Sequence, residues 1–289
     1  MGTTSGRARA ASQWLTLREP ADAAARSPEL VEEVRPRLPS GRPVVVHDLG
    51  CGTGSMGRWL AARLAGPQHW VLHDHDEELL ALAASNPPTG ASDGAPVTVE
   101  VRRRDISRLG PEEMSGADLI TASALLDVMT AEELERLAAT CASVGCPVLI
   151  TLSVTGRVEL TPRDPYDERV AEAFNAHQQR STDSGRLLGP QAVSAAVEAF
   201  TRRGLEVLTR PSPWRLGSGH SALVAEWFTG WLGAACEQRP ELQEAAAPYA
   251  ERRLAEAAAG RLTVTVDHED LLVRGGAEPL TRTVNQIGI

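Results

Sequence analysis

The sequence predicts an α/β domain built on a doubly wound, mostly parallel sheet. Two observations carry this. Short apolar runs alternate with segments whose apolar residues recur at helical spacing, and the first such run ends in a glycine-rich turn that opens into a helix. The 289-residue chain is long enough for a sizeable core, and its 42% of hydrophobic residues is ordinary for a globular protein.

The elements follow in order. Val44 to Leu49 is the first strand, stopped by glycines, and Ser55 to Leu64 is a helix with Met56, Trp59, Leu60 and Leu64 at helical spacing. A second strand begins at Trp70 to Leu72 and ends at Asp74, and a helix runs from Asp76 to about Ala84. Asn86 to Pro96, rich in Pro, Gly and Ser, is a loop. Val97 to Val101 alternates as a third strand and leads into Asp105, and Asp118 to Ala122 is the fourth. Ala131 to Cys141 is a helix with an acidic first turn, and Pro147 to Val154 is the fifth strand. A helix near Pro190 to Arg203 and a strand near Leu205 to Arg210 continue the alternation.

Two insertions interrupt it. Gly156 to Gly189 contains a helix with Asp164 as N-cap and Pro165 at its first position. The second, about 217–260, reads as two helices split by Pro240, before a last strand within Leu262 to Arg274. Residues 1–40 are expected to form a leading helical lid segment, 41–275 the main domain and 276–289 a tail. That tail and the first ten residues read as loosely ordered.

Composition narrows the function. No apolar run approaches the ~20 residues that span a bilayer, and the polar start does not read as a secretory signal, so a cytoplasmic protein without membrane contact is expected. The four cysteines contain no CxxC pair and fit free thiols. A formal charge of −9 argues against nucleic-acid binding, because phosphate contacts need a basic surface.

The strongest signal is His47-Asp48-Leu49-Gly50-Cys51-Gly52-Thr53-Gly54 between strand and helix. Glycines permit the tight turn and let a ligand approach the backbone, and the helix from Ser55 offers free N–H groups to an anionic end. Asp48 adds a carboxylate suited to an ammonium group. Asp48-x-Gly50-x-Gly52-x-Gly54 resembles motif I of the class I S-adenosylmethionine-dependent methyltransferases. The resemblance covers roughly Val44 to Leu152 and implies a Rossmann-like, seven-stranded sheet with an antiparallel final strand, whose loop, Cys51 included, cradles the methionine part of S-adenosyl-L-methionine.

Three further places agree with it. Asp74 stands where the family keeps an acidic residue for the ribose hydroxyls, with His75 beside it; an ionised carboxylate has two oxygens for two donors. Asp105 and Ile106 fall where an acidic residue meets the adenine amino group and an apolar one meets the ring. Ser123 and Ala124 match the segment near the sulfonium. Gly52-Thr-Gly54-Ser-Met-Gly57 also satisfies GxGxxG, so an NAD-dependent oxidoreductase is an alternative. It leaves Asp48 and Asp105 unexplained. His73-Asp74-His75-Asp76 is not read as a metal site, since alternate strand residues face opposite ways.

Ligands of an open parallel sheet sit beyond the carboxyl ends of its strands, so both insertions are expected to wall the pocket of a small-molecule methyl acceptor. His177, at helical spacing with Val170, Ala173 and Phe174, and Asp127, just past the fourth strand, are the catalytic-base candidates; each also has a plain structural reading. Val224, Trp227, Phe228 and Trp231 form an aromatic stripe that reads first as packing. Arg157, Arg163, Arg169, Arg180 and Arg186 make the first insertion rich in guanidinium. Arg18, within Trp14 to Pro20, is a candidate clamp for the methionine carboxylate. No Asn/Asp-Pro-Pro-aromatic sequence and no Pro-Cys pair follow the fourth strand, which favours O- or N-methylation of a metabolite over methylation of DNA. A non-catalytic module that binds the same cofactor is the second alternative.

Overall fold

A computed structural model describes residues 12–275. The first ten residues and the tail after Gly275, expected to be loosely ordered, lie outside them. Among the described residues the main sheet runs in the order β3 (Val97–Arg103), β2 (Gln68–Asp74), β1 (Val44–Leu49), β4 (Leu119–Ser123), β5 (Val148–Thr161), β10 (Thr263–Gly275) and β8 (Leu205–Pro211). Strands β1 to β5 pair in parallel. Strand β10 is antiparallel to β5 and β8, as expected for the last strand, and also carries the short β9 (Trp214–Leu216). The order reverses between β1 and β4, which opens a crevice beyond their carboxyl ends.

Each face of the sheet buries its own apolar cluster. Val44 and Val46 of β1 join Trp70 and Leu72 of β2 and Met56, Trp59 and Leu60 of α3 (Ser55–Ala61). On the other face Leu49, Ile120 and Ile150 pack with α5 (Ala131–Val144) and α7 (Ala192–Thr201). Helix α5 starts in a capping box, with Glu133 N–H donating to Thr130 Oγ1 at 3.2 Å and Thr130 N–H to Glu133 Oε2 at 2.8 Å. It ends at Gly145 in the left-handed conformation. Helix α4 (Glu77–Ser85) is capped by Asp76.

The insertions differ from expectation in three ways. Strand β5 does not stop at Val154 but continues to Thr161, paired with β10, because Arg157-Val158-Glu159-Leu160 alternates at strand period. Helix α6 (Asp167–Gln178) starts three residues past Asp164, which instead accepts Tyr166 N–H at 2.9 Å in the turn before it. Helices α8 (Ser221–Gln238) and α9 (Gln243–Ala258) do not reach the crevice. They pack with α6, α1 (Ser12–Ala25) and the far ends of β5, β9 and β10 in a third cluster. Val224, Phe228 and Trp231 are buried there, with Trp227 stacked on Trp231 at 5.2 Å, so the aromatic stripe is packing. Among the described residues no helix is long and apolar enough to cross a membrane.

Candidate functional site

The crevice at the carboxyl ends of β1, β2 and β4 opens into a cavity of about 240 Å³. Its floor is the glycine turn. Gly50 and Gly52 both hold positive φ, 66° and 54°, where a side chain is strained; a Cβ on Gly50 would lie 3.2 Å from Leu125 and one on Gly52 3.2 Å from Leu15. Gly50, Cys51, Gly52, Thr53 and Ser55 line the cavity, while Gly54 stands outside the wall as the N-cap of α3.

Asp48 is buried below this turn. Thr121 Oγ1 donates to its Oδ1 at 2.7 Å, and Oδ2 has no partner within the protein although the residue lines the cavity. Burial pushes its carboxyl up to about 7, against the opposing pull of the Thr121 bond and the Arg26 guanidinium. An orphaned buried carboxylate oxygen of this kind costs free energy unless a donor meets it, and a ligand ammonium is such a donor.

Asp74 ends β2 and lines the cavity with His75. Its Oδ2 accepts Gly52 N–H at 2.9 Å and its Oδ1 accepts Asp76 N–H at 3.0 Å; His75 Nδ1 lies 3.2 Å from Oδ1. Oδ2, with one partner, keeps a lone pair for a ligand hydroxyl, and Oδ1 keeps one where His75 does not donate to it. His73 turns to the other face, its Nε2 3.1 Å from His47 Nδ1, and burial lowers both imidazoles to about 4. The four residues from His73 to Asp76 therefore do not converge.

Ile106 supplies apolar wall together with Leu79 and Leu125, but Asp105 stands outside it as the cap of the next turn, accepting Ser107 N–H at 3.1 Å and Ser107 Oγ at 2.7 Å. Ser123 and Ala124 line the cavity at the end of β4, Ala124 with φ 50°. Arg18 also lines it, held by Asp22 through Nε and Nη2 at 2.9–3.2 Å, its guanidinium 4.9 Å from the Trp214 ring centroid.

The two base candidates are not on the wall. Asp127 is half-buried and does not line the cavity, and burial pushes its carboxyl up to about 6 against the pull of Arg18 and Arg180. His177 lies on α6 with Nε2 3.2 Å from Glu237 and Nδ1 3.5 Å from Arg180 Nη1, away from the cavity. Of the five arginines of the first insertion, Arg180 alone lines the cavity; Arg157 pairs with Glu159 and Asp267.

The roof comes from the leading segment and the first insertion, as expected, but the hairpin that forms half of it was not foreseen. A hairpin of β6 (Ser181–Thr182) and β7 (Gly185–Arg186) brings Thr182, Asp183, Ser184 and Leu187 over the cavity, pinned where Leu187 bridges to Thr130. From the other side α1 contributes Trp14 and Leu15. The turn Asp183-Ser184-Gly185 was a legible hairpin signal. Arg26, buried below Ser55 and Ser123, carried no sequence signal at all.

Residues 46–147 match a protein family described as "Methyltransferase domain". A comparison with curated protein sequences found no match. Solved structures similar to this chain include a cyclopropane synthase from Mycobacterium tuberculosis (13% identity, covering 85% of this chain and 83% of that one, TM-score 0.45). Another is a SAM-dependent methyltransferase from Geobacter sulfurreducens in complex with S-adenosyl-L-homocysteine (16%, 91% and 98%, 0.43). A third is magnesium protoporphyrin IX methyltransferase from Synechocystis PCC 6803 (15%, 72% and 83%, 0.39). At such identities they say nothing about the acceptor.

Proposed function

From the match of residues 46–147 to a methyltransferase domain family and the class I motif at Asp48 to Gly54, we propose that the chain binds S-adenosylmethionine and methylates an O or N atom of a small molecule. One observation carries the reading. A single cavity of about 240 Å³ is lined both by the motif residues (Asp48, Gly50, Gly52, Asp74, Ile106) and by an apolar roof of Trp14, Leu15, Val128 and Leu187. The first group fits the methyl donor, and the apolar side chains of the roof suit a compact acceptor next to it.

The donor supplies a methyl group already activated by positive charge, so the protein's work is to align the acceptor and exclude water. Asp74 binds the ribose hydroxyls, Ile106 and Leu79 flank the base, and Asp48 takes the ammonium. Trp14, Leu15 and the Thr182–Gly185 hairpin shut out solvent. Asp127 and His177 stand off the wall, whereas His75, Glu133 and Asp183 line it, so a proton that an acceptor must lose would pass to one of these groups and an uncharged amine would need none of them.

Asp48 makes donor binding pH-dependent. Its folded-state value of about 7 lies above the ordinary 3.8, so its carboxyl is protonated in the free protein below about 7 and must ionise to meet an ammonium. Affinity then rises with pH through that region. The same shift means that this group's contribution to stability is full below 3.8 and is lost as pH rises toward 7.

Incubation of the full chain with methyl-labelled S-adenosylmethionine and a fractionated small-metabolite extract tests the reading. The expected result is label in a small organic product, retained after protein and nucleic acid are removed. Cofactor binding with no label transferred to any fraction would favour a binding module instead.

A further inference from the structure

The buried guanidinium of Arg26 lies directly behind the cavity floor. Its Nη2 donates one hydrogen to Ser55 Oγ at 3.1 Å and the other to Ser123 Oγ at 3.0 Å, and both serines line the cavity. Arginine can only donate. Each serine oxygen is thereby fixed as an acceptor toward the protein, and its own hydrogen is left for something else. At Ser123 this is reinforced by Thr151 Oγ1, which donates to the same oxygen at 3.0 Å in preference to the softer Met56 sulfur at 3.9 Å. Two hydroxyls thus become donors on one patch of floor, beside Asp48, whose Oδ2 is an acceptor without a partner.

That pattern of two donors next to one acceptor matches an α-amino acid end, carboxylate on the serines and ammonium on the aspartate. Nε and Nη1 of Arg26 find no hydrogen-bond partner in the protein; Asp22, Asp48 and Asp270 offset its charge, and the guanidinium lies 5.6 Å from the Trp59 ring centroid, so its remaining polar reach is toward the two serines. Arg18 is less suited to the task, since Asp22 already takes its Nε and Nη2.

We propose that Arg26 is a positioning residue for the cofactor's amino-acid tail, acting through Ser55 and Ser123, whose hydroxyls it turns toward the carboxylate. The inference rests on the methyl-donor reading. It concerns only the tail, so a ligand pair that differs in the tail separates the two. S-Adenosylhomocysteine carries the tail; 5′-methylthioadenosine has the same adenosine and sulfur without it.

The test is calorimetric titration of the full chain with both ligands, in the wild type, Arg26→Met and the double variant Ser55→Ala/Ser123→Ala. The expected result is a loss of about tenfold or more in S-adenosylhomocysteine affinity in either variant, with 5′-methylthioadenosine affinity held within about twofold. The serine variant leaves the buried cation in place and decides the matter if Arg26→Met does not fold. Equal weakening of both ligands, or an unchanged affinity for S-adenosylhomocysteine in the double variant, would overturn the role of Arg26 while leaving donor binding intact. A wild type that binds neither ligand overturns the donor reading and this inference together.

Discussion

Asp74→Ala is expected to weaken S-adenosylhomocysteine binding by about 1.5–3 kcal/mol, or roughly 10- to 150-fold in Kd, because charge-assisted hydrogen bonds to the ligand are lost. The residue is 5% exposed, at the end of β2, on the cavity wall. Its carboxylate also holds Gly52 N–H and Asp76 N–H at 2.9 and 3.0 Å, so it braces the glycine turn as well as the ribose position. Removing it therefore costs the ligand contacts and loosens the floor at once. Asp74→Asn keeps one acceptor but turns an amide N–H toward a backbone donor, and should lie between wild type and Ala. Calorimetry at fixed pH and salt reads the effect; an unchanged Kd for Asp74→Ala would remove Asp74 from the ribose.

The largest effect on stability is expected at Asp270. Its side chain is fully buried in β10, where Oδ1 accepts Leu152 N–H and Oδ2 accepts Ser27 N–H, both at 2.8 Å. Leu152 has φ 58°, a conformation a leucine adopts only when the surroundings impose it. Ser27 is the N-cap of α2 (Pro28–Val34) and follows Arg26 directly. One carboxylate thus ties the bulged middle of β5 to the turn that delivers Arg26 to the floor. Asp270→Ala strands two buried backbone donors and removes one of the carboxylates, with Asp22 and Asp48, that offset the buried Arg26 cation, so a loss of about 2–5 kcal/mol is expected. Urea unfolding followed by circular dichroism measures it. A loss below about 1 kcal/mol would mean the network is dispensable.

The parts of the molecule legible in the sequence are those set by local chemistry. Val44 to Leu49 was readable strand for residue, because glycine turns bound an apolar run on both faces of a buried parallel strand. The loop from Asp48 to Gly54, Asp74 at its strand end and Asp76 as an N-cap follow from the same local rules. The alternation Arg157-Val158-Glu159-Leu160 was also present in the sequence. The sequence reading ends the strand at Val154 and opens the insertion at Gly156, whereas Gly156, with φ 82°, bends the strand against Pro190 without ending it.

What sequence reasoning could not supply are contacts between residues far apart in the chain. Arg26 meets Ser123 across 97 positions, and Asp270 meets Ser27 across 243. Periodicity carries no trace of either. Topology put the second insertion on the crevice side, but its apolar faces are satisfied by α6, α1 and the extended end of β5, so it packs there instead. The same blindness applies to His177: helical spacing showed that it shares a face with Val170 and Ala173, not that this face looks away from the cavity.

The most direct single measurement is a calorimetric pH series of S-adenosylhomocysteine binding to the full chain, with Asp48→Asn alongside. The expected result is one saturable site per chain whose affinity rises between about pH 6 and about pH 8 and levels off once Asp48 is ionised, with the rise flattened in the variant. No saturable binding at any pH, or tight binding of a nicotinamide dinucleotide in its place, would contradict it.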